Sequence, residues 1–217
     1  MSPKHRSTVS DCQSETETTK ASTTAARRPG RPAFPRELVL EAAAALFADT
    51  DAPRSVSMDD IAAAAGVGKG TLFRAFGSRD GLLDALFAAH AAPLRAALEQ
   101  PDPPLGSAAP PLTRVLALFD ELVTFKLTHR HLTAARELSG AGLLRAPHYV
   151  WTHDVLRALI ARTDSPAAAS PAYTAHVLLG AVRADLVDEL LASGRTPDDI
   201  RHDVAALVRT VLAAPPH

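Results

Sequence analysis

The chain has 217 residues, 47% of them hydrophobic, enough for a substantial buried core, and its one cysteine, Cys12, supports neither an intrachain disulfide nor a metal cluster. No apolar run reaches the roughly 18 residues of a transmembrane helix, and the polar N-terminus lacks an apolar signal core, so a cytoplasmic location is expected. The net charge of −1 hides a split: residues 27–79 carry eight Lys/Arg against six Asp/Glu, and residues 80–217 carry twelve against fifteen, so the N-terminal third is the part suited to nucleic acid.

Residues 1–34 are Ser/Thr-rich, carry little apolar content and are expected to be disordered. They end in Arg27-Arg28-Pro29-Gly30-Arg31-Pro32. Two readings stay open for this stretch: a solvated basic leader, or a narrow cationic arm, similar to an AT-hook core, with Arg31 inserted in a minor groove. Contact with DNA that reads no sequence is the favoured outcome. Pro35 to Asp49 read as a helix, because Val39, Ala42, Ala43, Leu46 and Phe47 fall on one face. A loop from Thr50 to Val56 follows.

Ser57 is placed to cap a short helix with Asp59 and Asp60 in its first turn, and Gly66 can adopt the positive φ that ends it. A second short helix is predicted from about Gly68, with Leu72 and Phe76 one turn apart. Helix, glycine-containing turn and helix make a helix-turn-helix. The second helix presents Lys69, Gly70, Thr71 and Arg74, and no acid occurs from Gly66 to Arg79. Small residues, a hydroxyl and cations suit an element entering a DNA major groove.

From about residue 35 to 84 the chain resembles the DNA-binding domain of the TetR family of bacterial transcriptional regulators. The family string aGVSKGTLYRHFPSKEEL reads here as Ala65-Gly66-Val67-Gly68-Lys69-Gly70-Thr71-Leu72-Phe73-Arg74-Ala75-Phe76-Gly77-Ser78-Arg79-Asp80-Gly81-Leu82. Gly68 replaces the usual Ser, Phe73 the usual Tyr and Ala75 the usual His, each removing a possible phosphate contact. Core packing is expected to be the larger part of the role of Phe73. The resemblance implies DNA contacts from Ser57, Gly68, Lys69, Gly70, Thr71, Phe73, Arg74 and Arg79, and the arm reading adds Arg31. Ser78 is placed to cap the helix that Arg79 begins.

That helix is expected from about Ser78 to Leu98, kinked or broken at Pro93. After a proline-rich loop at 101–107, helices are predicted at about 111–128, 130–140, 147–163, 171–193 and 197–213. The whole is all-α with about nine helices: a leader at 1–34, a DNA-binding domain at 35–80, and a helical regulatory and dimerisation domain at 81–217. The stretch 171–193 is apolar on two sides, so two faces need covering. The resemblance implies that the last two helices pair with a second copy, and burial inside one chain fits the pattern equally well.

His129, His131, His148 and His153 gather near Tyr149 and Trp151, but spacings of two and five residues do not align them on a helix face. They are read as packing or partly exposed histidines, with hydrogen bonding inside a ligand pocket as the alternative, rather than as metal ligands, and no cofactor is expected. Phe119, Phe125, Trp151, His176 and Arg183 are candidates, by residue type, to line a small-molecule pocket. No hydrolase elbow, phosphate-binding glycine loop or metal-protease motif is present, so an enzyme is not expected. The expected function is a homodimeric repressor on a near-palindromic operator, its DNA affinity changed by a small molecule in the C-terminal domain. The alternative is a ligand-independent or architectural DNA-binding protein.

Overall fold

A computed structural model describes residues 34–50, 52–53, 55–138 and 142–213. Arg31, the Arg27–Pro32 arm and Cys12 lie outside the described residues. Those residues form eleven α-helices and no strand: α1 (Arg36–Ala48), α2 (Met58–Ala64), α3 (Lys69–Phe76), α4 (Arg79–His90), α5 (Ala92–Glu99), α6 (Pro111–Thr128), α7 (Arg130–Glu137), α8 (Pro147–Ile160), α9 (Pro171–Gly180), α10 (Ala184–Ala192) and α11 (Pro197–Val211). The all-helical class matches the sequence reading. The count exceeds nine because two predicted helices are each divided.

The first division lies at Ala91, just before Pro93, which occupies the first turn of α5. Proline has no N–H to continue the α4 ladder and its ring would strike the carbonyl one turn back. The second division corrects the single helix expected over 171–193. After Gly180 the chain makes three-residue turns, and Arg183 adopts extended backbone before α10 starts. The reason is tertiary: Glu137, on α7, accepts the Ala184 N–H at 2.8 Å and so caps α10 from outside.

Two apolar clusters form. The first joins Val39, Ala43 and Phe47 of α1 to Ile61, Leu72, Phe76 and the α4 residues Leu82, Leu83 and Leu86, with Leu132 and Ala135 of α7 beneath. The second gathers α5, α6 and α8–α11 around Leu118, Phe119, Leu156, Ile160, Leu178 and Val208. Burying Leu72 and Phe76 contributes roughly 1.5–3 kcal/mol per side chain, which is what holds the short α3 in a fixed attitude.

Local chemistry fixes the helix-turn-helix. The Ser57 hydroxyl accepts the Asp60 N–H at 3.2 Å, and the Asp60 carboxylate accepts the Ser57 N–H at 2.9 Å, a complete capping box. Gly66 takes φ 63°, and the N–H groups of Gly66 and Val67 return to Ala63 and Ala62, closing α2 in a Schellman motif. At Gly81 a side chain would collide with the Phe76 carbonyl, a Cβ lying 2.1 Å from that oxygen, so α4 passes close under the end of α3. Ser57→Ala is expected to destabilise the protein by about 1 kcal/mol, measured by urea unfolding; an unchanged midpoint would show that the box contributes nothing.

Candidate nucleic-acid interface and ligand cavity

Leu72 and Phe76 turn the opposite side of α3 outward. Gly68, Lys69, Gly70, Phe73 and Arg74 are exposed there and Thr71 is half-buried. The core role expected for Phe73 is corrected: it is 39% exposed. At about 100° per residue it lies off the Leu72–Phe76 stripe, so it stands among the cations. A Cβ added at Gly70 would meet nothing within 4 Å, so this face leaves room for close approach. Lys69 Nζ pairs with Asp59 at 2.7 Å with both side chains 60% exposed; such a pair contributes under about 1 kcal/mol and exchanges readily for a phosphate.

Ser57 and Arg79 are placed differently. The Ser57 hydroxyl is engaged within the capping box. Arg79 Nε donates to the Val56 carbonyl at 2.9 Å and Nη2 to that of Pro53 at 2.7 Å, with the guanidinium 5.6 Å from the Phe47 ring centre. It therefore clamps the loop before α2 to the start of α4. A cation that sequence reasoning missed is Arg36, whose guanidinium lies 4.7 Å over the Phe76 ring beside α3. Its position at the start of α1 gave no signal, because the contact is tertiary.

Behind this unit, α4 meets the rest of the molecule through a polar cluster. Arg136 of α7, only 4% exposed, donates from Nε to Asp84 of α4 at 2.8 Å. His148 of α8 stacks on Phe87 at 4.2 Å, and its Nδ1 lies 3.5 Å from Asp84 without a hydrogen-bond partner. Burial, aided by the Arg136 charge and opposed by Asp84, lowers the His148 imidazole to about 4. It is therefore buried neutral.

The unfolded chain takes up this proton below about pH 6.5, while the folded protein does so only below about 4. The unfolded state thus binds more protons between those values, and stability falls as pH is lowered through that window. The loss from this group is on the order of 3 kcal/mol. About 2 kcal/mol of it should appear between pH 7.5 and pH 5 in unfolding of the native protein, and His148→Gln should flatten the dependence; an identical pH slope in the variant would refute the assignment.

Next to this cluster lies a cavity of about 80 Å³, walled by Phe87 and Ala91 from the α4 side, Leu122 and Phe125 of α6, Trp151 of α8, and Leu179 and Val182. Lys126, Glu137, His148, Tyr149, Thr152 and Arg183 supply its polar groups. Lys126 and Glu137 form a buried ion pair, and Glu137 also caps α10. Of the sequence candidates, Phe125, Trp151 and Arg183 converge here. Phe119 is 1% exposed and packed in the second apolar cluster. His176 lies on the adjoining groove, where its Nδ1 hydrogen-bonds the Tyr149 hydroxyl at 2.7 Å.

The histidines pair off through partners distant in sequence. His129 packs at a tilt against His90, ring centres 4.1 Å apart, and His153 stacks on His176 at 4.1 Å. Burial lowers the pKa of both His90 and His129, and the His90 charge adds to the effect on His129. Among the described residues no group of three or more His, Cys, Asp or Glu side chains is arranged to hold a metal. No helix there is long and apolar enough to cross a membrane.

Residues 39–86 match the family of bacterial regulatory proteins designated the tetR family. Comparison with curated proteins gives no match. Among solved structures, the fold is similar to that of a putative TetR-family transcriptional regulator from Rhodococcus sp., with 19% identity, a TM-score of 0.60, and coverage of 82% of this chain and 98% of that one. A TetR transcriptional regulator from Rhodococcus sp. RHA1 gives 21% identity, a TM-score of 0.58, and coverage of 82% and 96%. NalD of Pseudomonas aeruginosa, the secondary repressor of the MexAB-OprM multidrug efflux pump, gives 19%, 0.57, and coverage of 82% and 96%.

Proposed function

Since the chain is a DNA-binding transcriptional regulator of the TetR family, we propose that it acts as a homodimeric cytoplasmic repressor whose hold on a near-palindromic operator is weakened by a small molecule in the 81–217 region. The 35–80 region is the reader. Gly68, Lys69, Gly70, Thr71, Phe73 and Arg74 face the DNA. Arg36 lies beside them, and Ser57 and Arg79 act mainly by fixing the attitude of α2 and α4. Arg31 follows the minor groove.

One residue carries the coupling. Phe87 of α4 belongs to the apolar cluster of the helix-turn-helix and also walls the central cavity. A molecule that enters between Phe87, Phe125 and Trp151 moves α4, and α4 sets the position of α3. The ligand acts only as far as it prefers one of the two arrangements. The second reading, a DNA-binding protein without a sensor, draws on the cavity's size: about 80 Å³ against roughly 300–1,000 Å³ for ordinary ligand sites. In the ligand-responsive reading this is the closed, DNA-competent state, and the cavity opens on binding.

A second copy is the proposed cover for the last helices, where Tyr173 and Val177 of α9 are 71% and 49% exposed and Leu186 of α10 and Leu207 of α11 are each 40% exposed. In sedimentation the native protein should be a dimer and the double variant Val177→Asp, Leu207→Asp a monomer. Operator affinity of that variant should fall at least about tenfold, since two linked readers bind far more tightly than one. A native monomer, or a variant that stays dimeric, would overturn this assignment.

A further inference from the structure

On the far side of Trp151 from the central cavity lies a separate groove of about 320 Å³ between α5, the start of α6 and the second half of α8. Its size falls within the range of small-molecule sites. Arg95, Arg114 and Arg162 line it against one acid, Glu99. Among the described residues none of the three arginines makes an ion pair. Arg114 is held in place by donating to the carbonyls of Leu105 at 2.7 Å and Leu98 at 3.2 Å. Arg95 lies 4.3 Å over the Trp151 ring, and its Nε is buried without a hydrogen-bond partner. The floor is apolar, with Leu159 buried beneath it.

We propose that this groove is a second ligand site, which takes a small organic acid: one carboxylate on a compact apolar body. A buried N–H without an acceptor is costly, and an anionic oxygen would satisfy it. The planar guanidinium fork matches a carboxylate in geometry and charge, and three arginines against one glutamate favour an anion over a neutral or cationic molecule. The apolar body lies on the Leu159 side, where no polar partner is needed. Trp151 lines both this groove and the central cavity, so occupancy here bears on the wall of the cavity proposed to govern DNA release.

Trp151 is the only tryptophan in the chain and lines both the groove and the central cavity, so its emission reports binding at either and the variants below tell the two apart. The full-length protein is titrated with sodium hexanoate and separately with 1-hexanol at constant ionic strength, followed by tryptophan fluorescence and by calorimetry. Hexanoate should bind saturably and hexanol at least about tenfold more weakly, the effect of losing a charge-assisted hydrogen bond. Arg162→Gln, at an exposed position, should weaken hexanoate by a similar factor, and Arg183→Gln, on the central cavity, should not. Equal binding of hexanol, full affinity in Arg162→Gln, or no saturable signal by either method would overturn the proposal. Weakening by Arg183→Gln alone would place the acid in the central cavity and overturn it too.

Discussion

Replacing Arg136 with leucine is expected to lower stability by about 3–5 kcal/mol and the Tm by on the order of 10 °C. Arg136 is buried between α4 and α7, and Asp84 accepts from its guanidinium at 2.8 Å. Deleting the cation leaves a carboxylate in a poorly solvated place, which costs far more than the pair itself contributes. Exchanging both partners for leucine should therefore recover much of the loss, and a double-mutant cycle by denaturant unfolding measures the coupling. A second signature separates this from simple loss of packing. Arg136 is one of the charges that lower the His148 pKa, and Asp84 is one that raises it. In Arg136→Leu the imidazole pKa should rise from about 4, as followed by NMR titration. A variant of native stability with an unmoved imidazole would contradict the role given to this cluster as the joint between α4 and the helices behind it.

Gly70→Glu should separate binding from folding. The Cβ points into open space, and exchanging a helical glycine for glutamate gains roughly 0.5–1 kcal/mol of helix propensity. The protein should thus be as stable as the native one or slightly more so. The new carboxylate would stand on the acid-free face of α3, where like-charge repulsion from phosphate and lost close approach together cost several kcal/mol. Operator affinity should fall about 100-fold or more, with a shallower salt dependence if Lys69 is drawn from phosphate to the new acid. Unchanged affinity in a folded Gly70→Glu variant would mean that α3 does not face the DNA.

Where local chemistry decides, the sequence was sufficient. Ser57 and Ser78 cap the helices they were expected to cap, accepting from Asp60 and Gly81 respectively. Leu72 and Phe76 are buried as their spacing requires. Phe73 is apolar by type, yet its place one residue off the buried Leu72–Phe76 stripe turns it outward. Other features depended on partners far along the chain. The break between α9 and α10 is fixed by a Glu137 carboxylate 47 residues away, which no local pattern of apolar residues displays. Phe119 and Phe125 share α6 but stand about 120° apart around it, so one packs in the core and the other reaches the cavity. Residue type alone could not tell them apart. The pairing of His129 with His90, and of His153 with His176, is likewise a result of packing.

The most direct test is selection of bound sequences from random duplex DNA by the purified full-length protein at a stated salt concentration, run beside Gly70→Glu. A dimeric reader with α3 in the major groove predicts enrichment of a near-palindrome whose half-sites are centred about one helical turn, roughly 10 base pairs, or a multiple of it apart, and no enrichment by the variant. Absence of any enriched sequence from the native protein, or the same sequence enriched by both proteins, would contradict it.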